Sequence, residues 1–287
     1  MTYFQAIVIG VIQGFTELFP VSSLGHSVLL AGWLGWDSLL NGQAADESFY
    51  LAFLVGLHVA TAIALMVFFW RDWVGIISGF LTSLRTRRVE TAHQRMAWLL
   101  IIGSIPVGIF GLVFEHSLRT LFAKPLAAAV FLTLNGVILL AGERFRRRPV
   151  AAARAGVITD ARVDNLTYAD GAIIGTSQIG ALFAGISRSG ITMVTGMVRG
   201  LNHEEAARFS FLLATPIIFA AGIYKLPDLA GPNGDGIRGQ VVVGSICAFV
   251  AAYIAVRFLT RWFSTRTLTP FAIYCLIAGV VSIIRFA

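Results

Sequence analysis

The sequence predicts an all-α polytopic membrane protein, an inverted-topology repeat of six transmembrane helices plus two re-entrant helix pairs, about ten helices in all. Three observations carry this expectation. Of 287 residues, 57% are hydrophobic and 13% charged, whereas soluble domains carry about 25% charged residues. Apolar runs approaching the roughly 20 residues needed to cross a bilayer recur along the chain. Two further apolar stretches are interrupted midway by Pro or Gly with Ser, and each keeps its polar residues at the interruption.

Taken in order, residues 3–34 form the first interrupted stretch. A helix–break–helix that enters the membrane and returns to the same side accounts for it, because irregular backbone at membrane depth is tolerated where protein buries it or a cavity is lined by it. The opening residues lack a basic leader and no small-residue cleavage site follows them, so a cleaved signal peptide is not expected. Full spans follow at roughly 49–70, 97–114 and 126–143, with 71–96 read as a basic loop. Residues 144–167 are basic, Ala-rich and without helical periodicity, and read as a solvated loop near anionic headgroups. The second interrupted stretch is 171–201, and spans at roughly 209–225, 240–258 and 270–286 complete the chain. This gives a single membrane domain, 1–287, made of repeat one (1–145), a cytoplasmic linker (146–167) and repeat two (168–287). Cys247 and Cys275 lie in apolar runs and read as small core hydrophobes.

The halves echo one another. Without gaps, Gln13–Gly25 lies over Gln178–Gly190, matching Gln13 with Gln178, Ser22 with Ser187 and Gly25 with Gly190. SFYLA at 48–52 returns as SFLLA at 210–214, IGSI at 102–105 as VGSI at 243–246, and PLA at 125–127 as PFA at 270–272. Echoes in one order indicate a duplicated unit. Each unit holds an odd number of full spans, so the second sits upside down relative to the first, an arrangement that places binding sites where broken helices meet near the midplane.

The basic residues test this topology. The net charge of +7 would suit a nucleic-acid binder, but in so apolar a chain its source is arginine concentrated in cytoplasmic loops. Most of the 22 Lys and Arg fall on the face that carries 71–96, 144–167, 199–208 and 257–266. The other face holds Arg119, Lys124, Lys225, Arg238 and Arg285, and Arg188 stands apart. The basic face is therefore cytoplasmic, and the mouth of the first re-entrant pair faces outside.

The chemistry concentrates at the two breaks. Gln13 and Glu17 share a helix face, Pro20 ends that helix, and Ser22, Ser23 and His26 open the next one. An acid, two hydroxyls and an imidazole thus meet a helix N-terminus, whose free N–H groups and dipole attract anions. A carboxylate at the bilayer centre costs at least about 2.5 kcal/mol and marks a functional site. The plainer reading makes Glu17 a structural partner of Arg188 and the serines N-caps. It leaves the second hydroxyl and the histidine unexplained. The second break, AGISRSGIT at 184–192, places Arg188 among Ser187, Ser189 and Thr192 at a Gly-lined helix start, a setting suited to phosphate oxygens. His58, within a span, reads as a satisfied interior histidine, and Asn135 as an interhelical hydrogen bond.

These motifs resemble those of the undecaprenyl-diphosphate phosphatases linked to bacitracin resistance. The family's Glu/Gln-x-x-x-Glu and Pro-Val-Ser-Ser-x-Gly-His runs appear as Gln13, Glu17 and Pro20–His26, and its Pro-Gly-x-Ser-Arg-Ser-Gly run appears as Ala184–Gly190. Stretches at 207–211 and Pro270–Tyr274 extend the resemblance over essentially the whole chain. It implies hydrolysis of undecaprenyl diphosphate to undecaprenyl phosphate, a bacterial inner-membrane location with the site opening outward, a polyprenyl diphosphate lipid as substrate, and a divalent cation, Mg²⁺ or Ca²⁺. The residues carried over are Glu17, Ser23, His26 and Arg188 as catalytic, with Gln13, Ser22, Gly25, Ser187, Ser189 and Thr192 toward the substrate. Glu17 and Gln13 would face the metal. The bilayer is the other partner, nucleic acid is not, and pairing into a homodimer is left open. Three departures stand out: Gln13 replaces an acid found in many members, Ala184 the motif's proline, and Leu54 an acid common in the first full span. Either Ser23 or His26 can be the nucleophile on this reading. The rival function is a transporter or flippase of a polyprenyl phosphate lipid, which would use the same arginine without needing a nucleophile.

Overall fold

Thr2 opens the first helix with a reciprocal capping box to Gln5, and Pro20 closes it by forcing Phe19 into extended backbone. The computed structural model describes residues 1–36, 39, 49–122, 124–146, 165–230 and 236–287. Within them lie eleven α-helices and no strand. They are α1 (Tyr3–Leu18), α2 (Ser23–Trp33), α3 (Phe49–Phe68), α4 (Trp70–Thr86), α5 (Ala92–Phe122), α6 (Pro125–Phe145), α7 (Tyr168–Ser177), α8 (Arg188–Val198), α9 (His203–Ala230), α10 (Arg238–Phe263) and α11 (Thr269–Phe286). A 3₁₀ turn, Gln178–Leu182, prolongs α7 toward the second break.

Five segments are long and apolar enough to cross a membrane: Ala92–Phe114, Pro125–Phe145, His203–Tyr224, Arg238–Phe263 and Thr269–Phe286. The bent pair of α3, 20 residues and so about 30 Å long, and α4 is apolar enough to supply a sixth when taken as one broken span. These are the six expected spans, and the chain is a multi-pass membrane protein. One expectation is corrected. Residues 71–96 are not simply a loop, because α4 occupies most of them and leaves α3 at 89°. Its exposed Trp70, Val74, Ile77, Leu81 and Leu84 recur at helical spacing, while Ile76, Gly79 and Ser83 pack inward. The arginines at its ends masked that periodicity. Most of the 146–167 linker, with Asp46 and Glu47, lies outside the described residues.

The helix pairings have counterparts when the halves are exchanged. Helix α1 packs along α10 as α7 packs along α5, while α3 pairs with α9 and α6 with α11. Small residues set these contacts, as in lipid, where close backbone approach drives helix association. A Cβ on Gly10 would lie 2.4 Å from the Gly244 carbonyl oxygen, and one on Gly175 would lie 2.2 Å from that of Gly103. Gly103 and Gly244 are the glycines of the IGSI and VGSI echo. The larger core cluster runs from Leu18 and Val28 through Leu99, Leu132 and Met193 to Phe209, Leu259 and Cys275, and a smaller one, with Ala6, Ile9, Phe53 and Leu57, lies beside Gly10 and Gly244.

Candidate active site

The first break is built on α1, whose last turns bury Gln13 and Glu17. Gly14 lets this face settle onto Ala248 and Ala251 of α10, and the Phe19 ring stacks on Phe258 and meets Phe271 edge-on. After Pro20 the chain turns sharply. Ser22 adopts a left-handed φ of 69° and caps α2 by accepting the Gly25 N–H at 3.3 Å. A non-glycine residue in that region is held there only when its surroundings over-determine it. They do so here: Ser22 Oγ also accepts the Gly185 N–H at 3.1 Å, and its carbonyl receives the His26 N–H and Nδ1.

The second break meets the first at close range. Gly185, at φ 113°, lies against Gly25, where a Cβ would fall 2.8 Å from the Gly185 Cα. Ser187 caps α8 through the Gly190 N–H at 3.1 Å, and the Ser187 and Ser189 hydroxyls reach the Phe19 carbonyl at 3.4 and 3.2 Å. Asn135 of α6 clamps both: its Nδ2 donates to the Pro20 carbonyl and its Oδ1 accepts the Ser187 N–H, each at 2.9 Å. Thr192 donates to the Arg188 carbonyl and pairs with Ser210.

Between the breaks sits Glu17. Its Oε1 accepts from the Arg188 guanidinium at 2.5 Å. Its Oε2 accepts from Ser23 Oγ at 2.5 Å and from Gln13 Nε2 at 3.0 Å, with His58 Nε2 at 3.3 Å. Arg188 and Ser23 are the first residues of α8 and α2, so two helix N-termini converge on one carboxylate. A cavity of about 270 Å³ opens onto this group; Glu17, Ser23, His58, Gln178 and Arg188 are among its polar residues, and Val55, Val107 and Ile217 among its apolar ones.

The structure therefore brings together Gln13, Glu17, Ser23 and Arg188. Ser22 and Ser187 reach the cavity wall but spend their hydroxyls on the opposite break. Ser189 and Thr192 brace α8 from behind, and Gly25 gives the two breaks room to touch. His26 points elsewhere: Nδ1 lies 2.7 Å from the Ser22 carbonyl and Nε2 lies 2.6 Å from the Tyr274 hydroxyl, with the two rings stacked. Two residues join the site that sequence reasoning did not assign to it, His58 and Gln178. The repeat alignment of Gln178 with Gln13 was the available signal for one of them. For His58 it was an imidazole inside a span.

A divalent cation would find a modest donor set. No group of three or more His, Cys, Asp or Glu converges among the described residues. Glu17 Oε1 keeps an acceptor position beyond Arg188, and Gln13 Oε1 is buried without a partner. Such a set fits a hard cation that takes most of its ligands from phosphate oxygens and water.

The family model described as "Bacitracin resistance protein BacA" matches residues 6–281. An undecaprenyl-diphosphatase from Mycolicibacterium paratuberculosis is 57% identical over 300 residues, covering 100% of this chain and 98% of the relative. An undecaprenyl-diphosphatase 2 from Frankia alni is 53% identical over 338 residues, with 100% and 98% covered. A third relative, undecaprenyl-diphosphatase 2 from Chromobacterium violaceum, is 42% identical over 288 residues, with 99% of each chain covered.

Proposed function

Because the chain belongs to the BacA family of bacitracin resistance proteins, we propose that its Glu17–Ser23–Arg188 cluster hydrolyses undecaprenyl diphosphate to undecaprenyl phosphate and inorganic phosphate. This membrane phosphatase activity recycles the lipid carrier of cell-wall synthesis and lowers sensitivity to bacitracin. One observation carries the assignment of roles: the Ser23 hydroxyl donates at 2.5 Å to a carboxylate whose other oxygen is held by Arg188. A nucleophile within hydrogen-bond reach of a base, with the base oriented by a third group, is the arrangement of covalent catalysis.

In this reading Ser23 Oγ attacks the terminal phosphorus and its proton passes to Glu17 Oε2. The bridging P–O bond breaks, and the lipid phosphate leaves with that electron pair. Water then attacks the phosphoserine, Glu17 returns its proton to Oγ, and both water protons leave with inorganic phosphate. Arg188 and the first-turn N–H groups of α2 and α8 stabilise charge on the transferring oxygens. A Mg²⁺ or Ca²⁺ held by Glu17 and Gln13 would neutralise diphosphate charge. His26 secures the first turn of α2 through the Ser22 carbonyl; direct attack by its ring would require it to leave Ser22 or Tyr274, so Ser23 is the nucleophile proposed. The cavity suits a diphosphate headgroup, and the prenyl tail would pass between apolar helices into lipid.

The proposed orientation places the basic face in the cytoplasm of the bacterial cell and the cavity mouth outside. Two inverted copies, 1–145 and 168–287, joined by the 146–167 linker, follow from it. The cavity's lining supports this. Val55 and Ala221 lie in the halves of α3 and α9 farthest from their arginine-bearing ends, and Val107 and Ile217 sit at the middle of α5 and α9.

The test is phosphate release from a C55 diphosphate by purified protein in detergent, with added Mg²⁺ or Ca²⁺ and with chelator. Ser23→Ala, Glu17→Ala and Arg188→Ala are each expected to lose about 10²–10⁴-fold in turnover. A phosphorylated intermediate should map to Ser23. Near wild-type turnover by Ser23→Ala removes Ser23 as nucleophile, and a wild type that releases no phosphate makes the chain a carrier of the lipid.

A further inference from the structure

Glu17 receives one donor that the steps above do not use. His58, on α3, has Nδ1 2.7 Å from the Leu54 carbonyl oxygen and Nε2 3.3 Å from Glu17 Oε2. A carbonyl oxygen only accepts, so Nδ1 carries a proton and the ring is turned to present Nε2 to the carboxylate. A carboxylate oxygen also only accepts, so a second proton, on Nε2, makes the ring an imidazolium that pairs with Glu17 at 3.3 Å. The ring lines the same cavity as Ser23 and Arg188.

The geometry around the carboxylate shows what this contact does. A guanidinium and a carboxylate left to themselves favour two parallel bonds, fork against fork. Here that arrangement would swing Oε2 toward Arg188 and away from Ser23. Instead Oε2 is held off by Ser23, Gln13 and His58. Gln13 stands one turn from Glu17 on the same helix and moves with it. His58 reaches Oε2 from a different helix, and α3 is fixed by packing against α9 and α10. Leu54 contributes only a carbonyl. Among the described residues that line the cavity, Glu17 is therefore the one carboxylate to be aimed.

We infer that His58 is a positioning residue for the hydrolysis, holding Glu17 Oε2 apart from Arg188 and directed at Ser23 Oγ before substrate enters. The inference rests on the proposed role of Glu17 as base for Ser23.

The experiment compares His58→Ala, His58→Gln, Glu17→Gln and the double variant Glu17→Gln/His58→Ala with wild type and Ser23→Ala. Phosphate release from a C55 diphosphate is measured with kcat and KM separated, and unfolding temperature is recorded. His58→Ala is expected to lower kcat about 10²-fold, the scale of a small misplacement of a catalytic group, with KM within roughly threefold of wild type. His58→Gln, whose amide N–H can reach the same oxygen, is expected to restore at least roughly a tenth of wild-type kcat. With Glu17 already changed, removing His58 is expected to cost nothing further, because two residues acting through one group are not additive. Unchanged kcat in His58→Ala overturns the inference. So does an equal loss in His58→Gln, or a further full loss in the double variant. Should His58→Ala not fold, His58→Gln against His58→Leu carries the same comparison. Turnover by Ser23→Ala near wild type would instead remove the reading beneath the inference, whatever the His58 variants do.

Discussion

At Asn135 one amide satisfies two backbone groups from the two breaks, the Pro20 carbonyl and the Ser187 N–H. Removing it leaves both buried, at about 1–3 kcal/mol for each unpaired group. Asn135→Ala is therefore expected to lower the unfolding temperature in detergent and to cut phosphate release with it. Asn135→Asp keeps an acceptor for Ser187 but loses the donor to Pro20, and is expected to fall between. Thermal unfolding of the three proteins in one detergent checks this order. The example shows what was legible at this scale. The acid, the serine and the arginine could be read from residue type and spacing, because Glu17 and Gln13 are one helical turn apart and Ser23 and Arg188 align in the repeat. Asn135 was readable only as a hydrogen bond between helices, since its partners are main-chain atoms in two distant loops. Ser22 lines the cavity, and its φ of 69° and its bond to Gly185, which residue type does not reveal, also make it a tie between the breaks. His58 reads as a satisfied interior histidine because residue type alone does not reveal that α3 passes beside the first break.

Among the elements, the glycine contacts decide where the acid stands. A side chain at Gly10 meets the Gly244 backbone, which cannot yield as a flexible side chain would. Gly10→Val is expected to separate α1 from α10, displace Gln13 and Glu17, about one and two turns further along, and lose activity and stability together. Gly111→Ala, where an added Cβ meets nothing within 4 Å, is expected to be neutral or slightly stabilising. Activity and unfolding temperature for the pair separate a packing contact from a general intolerance of glycine replacement. A second element carries its own pH signature. At the entry to α7, burial would raise the Asp170 carboxyl, but hydrogen bonds from Thr167 and the Arg199 pair outweigh it and hold the group below its ordinary 3.8. A depressed carboxyl contributes stability that is complete above its unfolded value and is lost as pH falls through the folded one. Asp170→Asn is thus expected to unfold at a lower temperature than wild type near neutral pH, the gap closing as pH drops below about 4. The spans were legible from apolar length alone. Helix α4 was not, because its apolar residues lie on two faces with arginines at its ends, and composition there reads as a basic loop.

For the whole molecule, the sequence echoes and the helix pairings describe the same exchange of halves. Gly103 and Gly244, which stand at equivalent places in IGSI and VGSI, make equivalent contacts with Gly175 and Gly10. A copy that is related in this way but inverted in the membrane needs an odd number of spans between equivalent points, and six spans over the chain then return Ala287 to the side of Met1. The arginines add direction to this geometry. In the proposed orientation Arg87, at the end of α4, belongs to the basic face, and Ala287, at the end of α11, to the opposite one. Single cysteines placed by Arg87→Cys or Ala287→Cys, with Cys247 and Cys275 changed to alanine, convert the orientation into an accessibility measurement. A membrane-impermeant maleimide applied to intact cells is expected to label the Ala287→Cys protein and to spare the Arg87→Cys protein until the membrane is opened. The reverse pattern would turn the molecule over and put the cavity mouth in the cytoplasm, where a diphosphate displayed on the outer leaflet cannot reach it. Labelling of both from one side would leave an even number of crossings between α4 and α11, and the inverted relation of the two breaks would fall with it. The expected pattern, joined to a cavity lined by Val55 and Ala221 from the ends of α3 and α9 away from the arginines and by the middles of α5 and α9, gives an outward-facing site in which Glu17 and Ser23 come from one copy and Arg188 from the other.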